Sequence, residues 1–149
     1  MSQSVNFIVD AIAGPALRMY PLYQRVSQGE IFNMYIYIED VVDLGGLELH
    51  LSYPSSNLSA STMTAGSIFS NSSIFFDTIS STDGTMELIA TAENFTGNTD
   101  SRVLAKLTLT AVSTGLDTLH IKETSILRNS GNVQIDILDR VYGLIEVVE

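Results

Sequence analysis

The sequence predicts an all-β domain, an antiparallel sandwich of two sheets. Three observations carry this: apolar residues recur with a period of two, turn-forming clusters separate the runs, and helical periodicity is weak throughout. Alternation of this kind describes sheets with one face in a core and the other in water. At 149 residues the chain has the size of one domain, read here as 1–149. Residues 1–4 (MSQS) are read as disordered or as a cloning remnant.

Taken in order, residues 11–26 (AIAGPALRMYPLYQRV) are atypical, most of all 14–27, because two of the three prolines fall there with two tyrosines and two arginines. They read either as an edge strand broken by proline or rim loop, or as an insertion that touches a partner; the former is favoured. Residues 34–39 (MYIYIE) and 47–53 (LELHLSY) alternate clearly. In the second run Leu47, Leu49, Leu51 and Tyr53 share one face, which leaves Glu48, His50 and Ser52 on the other. Met86, Leu88, Ala90 and Ala92 alternate with Glu87, Ile89, Thr91 and Glu93. Leu104, Leu107 and Leu109 mark a strand through Ala111, and Leu119 with Ile121 another. Residues 133–148 supply one long strand or two short ones. A single helical turn over 100–104 is the only helix allowed. Turn chemistry at Gly29, Gly45-Gly46, Pro54, Asp83-Gly84, Gly97, Gly115 and Gly131 separates these runs.

Composition removes several functions. Seven Lys+Arg against seventeen Asp+Glu leave a formal charge of −10, which repels phosphate backbones and anionic lipid. Nucleic acid and membrane insertion are therefore not expected. Cysteine is absent, which excludes thiol catalysis, zinc–thiolate centres and disulfides. The start lacks the basic and apolar regions of a signal peptide, so the chain reads as cytosolic or as a module of a longer exported protein. Sequons at Asn57, Asn71 and Asn94 are compatible with export.

No catalytic site assembles from the pattern. His50 and His120 both sit in strand-like alternation, away from any nucleophile-elbow motif. The Asp40/Asp43 and Asp136/Asp139 pairs read as solvated carboxylates, with surface calcium the lesser alternative. What remains is a sheet face: Glu48, His50 and Ser52, then Glu87, Ile89 and Thr91, then Thr118, His120 and Lys122. One apolar residue among charges and hydroxyls suits protein recognition; an ordinary wet sheet face is the competing reading. A carbohydrate-binding module is the alternative function. Sugars stack on exposed aromatic faces, and without Trp the compact candidate pair is Tyr35 with Tyr37. A structural domain that self-associates is a third option.

The order of motifs adds to this. Gln28-Gly29-Glu30 precedes an apolar strand, and residues 41–53 (VVDLGGLELHLSY) are followed by Leu58 and Ala65-Gly66-Ser67. Asp83-Gly84-Thr85-Met86, residues 104–109 (LAKLTL), Ser113-Thr114-Gly115 and Gly131-Asn132-Val133 complete the series. This order, over roughly residues 5 to 149, resembles the cohesin domain of cellulosome scaffoldins. The resemblance implies a nine-stranded jelly roll that is not an enzyme, carries no cofactor, and binds a dockerin, a small calcium-loaded helical module. It also implies an extracellular or cell-surface setting within a longer chain, and a partner-binding set of Glu48, His50, Ser52, Glu87, Ile89, Thr91, His120 and Lys122. A weak homodimer through the same face is a further expectation. Pro54 stands where the family usually has aspartate, Gly46 stands where some members have asparagine, and the 11–26 segment is long; these mark a divergent member.

Overall fold

Alternating burial runs through the chain as the period-two pattern requires, and in a computed structural model it organises thirteen strands among the described residues. Those residues are 14–66, 68, 75–80, 82–91, 97 and 99–149. The expectations for residues 1–4, Asn71, Ala92, Glu93 and Asn94 lie outside them. The strands are β1 (Ala16–Tyr20), β2 (Tyr23–Ser27), β3 (Ile31–Glu39), β4 (Leu44–Ser52), β5 (Leu58–Ala65), β6 (Phe75–Ser80) and β7 (Thr85–Thr91). After these come β8 (Ser101–Ala111), β9 (Gly115–Ile121), β10 (Ile126–Asn129), β11 (Gln134–Ile135), β12 (Asp139–Val141) and β13 (Gly143–Val148).

Two sheets form the jelly-roll sandwich. The smaller runs β12-β1-β3-β8-β5. The larger has β6, β7 and β4 side by side, with β9 and β10 sharing the far edge of β4; β13 and β2 extend it beyond β9, and β11 beyond β10. The first strand explains the atypical 14–27 segment. Proline supplies no N–H to a ladder, and at Pro21 the chain leaves β3, the neighbour of β1, for β13, the neighbour of β2. One N-terminal stretch thus serves both sheets.

Breaks of this kind account for thirteen segments where about nine strands are expected. Residues 133–148 likewise form three pieces, not one or two. The helical turn expected over 100–104 is replaced by the start of β8, because Ser101 pairs with Glu39 and Arg102 with Ile38. Ladder pairing to β3 outweighs the local preference.

Met34, Ile36, Leu107 and Leu109 from the smaller sheet and Leu49, Leu51, Met86 and Leu88 from the larger are buried in one continuous core. At the Asp83-Gly84 turn, Gly84 has φ 69°, and a Cβ there would lie 2.1 Å from the Tyr53 carbonyl. The Tyr53 N–H donates to the Gly84 carbonyl at 2.9 Å. A side chain would therefore push the β6–β7 hairpin away from the end of β4. Of the sequons, Asn57 is described: its amide nitrogen donates to Asp117 at 2.8 Å, which engages the atom a glycan would need.

Candidate protein-interaction face

The centre of the larger sheet is β4, and its alternation divides its side chains cleanly. Leu47, Leu49 and Leu51 are buried, while Glu48, His50 and Ser52 reach the outer surface. On β7, Met86, Leu88 and Ala90 are buried and Glu87 and Ile89 are exposed, Ile89 at 44%. Register then brings residues distant in sequence together: Glu48 opposite Ile89, His50 opposite Glu87, and Ser52 opposite both Thr85 and His120. Directly opposed side chains lie within about 5 Å of one another at Cβ, near enough to act as a unit. Of the eight residues the sequence nominates, six thus form one contiguous group. Thr91 stands further along, opposite Gly46, and Lys122 is exposed just past the end of β9.

His50 is held between two carboxylates. Its Nδ1 lies 3.3 Å from Glu87 Oε2 and its Nε2 3.7 Å from Glu48 Oε1. Both acids are well exposed, so these pairs orient the imidazole and add little to stability. The backbone beneath is fixed by a residue that the sequence pattern does not single out. Between β9 and β10 the ladder on β4 is interrupted; the Lys122 N–H donates to the His50 carbonyl, and the buried Ser125 hydroxyl takes over next to it. Its Oγ accepts from the His50 N–H at 2.9 Å and lies 3.2 Å from the His50 carbonyl oxygen, to which it can donate. Ser125→Ala is expected to cost about 1–3 kcal/mol, since it leaves the His50 N–H without a partner. Denaturant unfolding checks this, and faster exchange of the His50 amide hydrogen should accompany it.

The face continues past β4. His120 and Tyr142 meet in a tilted ring contact, with centroids 4.6 Å apart at 57°. Beyond them Thr118, Leu144 and Tyr23 lie in one row, and Leu116, Glu146 and Arg25 in the next. The Tyr23 phenol donates to Glu146; this hydrogen bond raises its pKa, with desolvation adding to the effect. Tyr142 and Leu144 were within reach of the sequence: they alternate with Gly143, Ile145 and Val147, whose burial sends them outward.

Among the described residues the opposite sheet offers no comparable arrangement. Tyr37 meets Tyr20 edge to face, at 5.8 Å and 69°, and the Arg18 guanidinium lies over the Tyr37 ring at 4.9 Å. Arg18 is itself fixed by Glu39 at 2.8 Å. Rings set across one another, one of them covered, do not make a flat platform for sugar. Among the described residues no group of three or more His, Asp or Glu side chains is arranged to hold a metal ion, and no helix is long and apolar enough to cross a membrane. Asp43 is engaged by the Ser130 hydroxyl at 2.7 Å.

A protein-family model, the cohesin domain, matches residues 24–146. The chain belongs to the cohesin family. No curated relative matches the sequence. Solved cohesin structures agree with it in fold. A type II cohesin domain from the cellulosome of Acetivibrio cellulolyticus is 12% identical with a TM-score of 0.75, over 87% of this chain and 94% of that one. A non-cellulosomal cohesin from the hyperthermophilic archaeon Archaeoglobus fulgidus is 16% identical, TM-score 0.72, over 90% and 92%. A type I cohesin–dockerin complex from Clostridium thermocellum is 18% identical, TM-score 0.71, over 94% and 98%.

Proposed function

We propose that this cohesin domain is a non-catalytic module that binds a dockerin-bearing protein through the outer face of its larger sheet. The observation that carries the reading is the Glu48–His50–Glu87 cluster beside exposed Ile89, at the centre of a sheet whose other face is core. An apolar residue ringed by polar groups that are held in place is what a protein partner uses. Structural relatives solved as cohesin–dockerin complexes support dockerin as the partner class. The contact residues are Glu48, His50, Ser52, Glu87, Ile89 and His120, with Thr91 and Lys122 at the margin. An interface of ordinary size, about 800 Å² per partner, spans this group.

Residues 1–149 act as one module of a longer exported chain, working outside the cell or on its surface. The smaller sheet's broken aromatic surface disfavours a carbohydrate-binding role. Calcium enters through the dockerin, not through this domain. Chelation is therefore expected to end binding and to leave the melting temperature of the isolated cohesin where it was. Calorimetry with a purified dockerin, paired with thermal denaturation, checks both; a cohesin that melts early in chelator would show that it holds an ion of its own. The decisive substitutions are argued in the Discussion.

A further inference from the structure

Residues 134–140 run from β11 on the larger sheet to β12 on the smaller, and so cross the open edge between the sheets. The crossing is tied down where the Leu138 N–H donates to the Pro15 carbonyl at 2.7 Å, and Ile135 and Ile137 pack against the core. Between this stretch and residues 123–126, at the turn from β9 to β10, lies an open hollow of about 650 Å³. Sites for small ligands are typically about 300–1,000 Å³. One wall is apolar, built from Ile126, Ile135 and Ile137. None of the residues assigned to dockerin contact lines it. Arg140 does. It stands in parallel register with wholly buried Leu17, which puts it on the core side of β12. Its Nε is buried and has no hydrogen-bond partner. A cationic donor sealed from water is unfavourable until an acceptor reaches it. The buried Ser125 hydroxyl on the same wall is already engaged by the His50 backbone.

We propose that this hollow binds a small organic monocarboxylate, its carboxylate on Arg140 and its apolar body against the three isoleucines. A guanidinium N–H and a carboxylate form a short, charge-assisted hydrogen bond, which answers the unpartnered Nε. The isoleucine wall favours a hydrocarbon body over a bare ion, because covering it removes apolar surface from water. Exposed Glu123 and Asp136 on the rim, on a chain of net charge −10, oppose a second negative charge on the ligand. Phosphate and dicarboxylates are disfavoured on that ground. A lone ammonium has less to gain, since both rim acids are exposed and screened by solvent while the guanidinium is part-buried. An inward charge on an edge strand also guards against strand addition between molecules. That role accounts for the charge, but not for the sealed Nε or for the apolar hollow beside it.

The test titrates three probes into the full chain: isocaproate, isoamylamine, which carries an ammonium on the same alkyl body, and inorganic phosphate. Isocaproate is expected to half-saturate near about 1 mM, modest for so small a ligand, and to raise the melting temperature. In NMR spectra the Arg140 Nε–H and the Ile135 and Ile137 methyl signals should move with it. Arg140→Gln should weaken this binding by about tenfold or more. Leu138→Asp, at a side chain 62% exposed on the same hollow, should weaken it several-fold by repulsion, and it reads the site even where Arg140→Gln fails to fold. Both variants, when folded, should keep their affinity for dockerin, so failure here leaves the proposed function standing. Phosphate binding as tightly as isocaproate, or isoamylamine binding in its place, overturns the ligand class. No binding by any probe, or signal changes confined to other parts of the domain, overturns the inference and leaves Arg140 as an edge guard.

Discussion

Combining Glu48→Arg with Ile89→Asp is expected to abolish dockerin binding in a domain that still folds. Both side chains point away from the core, opposite each other on β4 and β7, and exposed positions of this kind change stability by about 0.5 kcal/mol or less. The exchange also places a cation directly across from a carboxylate, so the sheet surface stays locally neutralised. A partner matched to the native face gains none of this. Its cation meets a guanidinium, and its apolar contact meets a charge that must be desolvated without a mate. Loss of a buried charge pairing costs about 2–5 kcal/mol, and each 1.4 kcal/mol is about tenfold in affinity. Each single substitution should give an intermediate loss, because the two positions touch and their effects need not add. Isothermal calorimetry against a purified dockerin, beside a melting curve, reads both quantities. Binding that survives the double substitution would place the recognition surface elsewhere on the domain.

What the sequence made legible, and what it hid, follows from how far apart the cooperating residues are. The inside and outside of β4 could be read from LELHLSY alone, because side chains on a strand alternate whatever the strand pairs with. The same holds for Glu87 and Ile89 on β7. Which outward residues meet is a matter of register, and register is set by turns and irregularities that composition barely encodes. His120 stands beside Ser52 because β9 ends in an interruption that β10 then resumes, and nothing in Lys122-Glu123-Thr124-Ser125 announces it. Ser125 is the plainest case. A serine that holds a backbone amide inside a sheet looks, in sequence, like any serine in a turn. Local preference misled at 100–104, where an Asp-Ser pair of the kind that starts helices is overruled by pairing with β3.

Leu51→Ala should be the most damaging single core substitution on β4, lowering stability by about 2–5 kcal/mol. Leu51 has no exposed surface, pairs with Met86 on one side and Ile121 on the other, and lies where β4 ties β7 to β9. The deleted methyl groups leave a cavity that paired strands on both sides prevent from closing. Against a typical total of about 5–15 kcal/mol, that is a large fraction. Its neighbour Ser52 faces the other way, between Thr85 and His120, and Ser52→Ala should shift stability by about 0.5 kcal/mol or less. The adjacent substitutions are thus expected to separate two properties. Leu51→Ala lowers the unfolding midpoint in denaturant while each folded molecule keeps its affinity for dockerin. Ser52→Ala keeps the midpoint and weakens binding, since its outward side chain stands beside His120 on the candidate face. Equal effects of the two changes on both measurements would contradict the division of β4 into a core side and a recognition side.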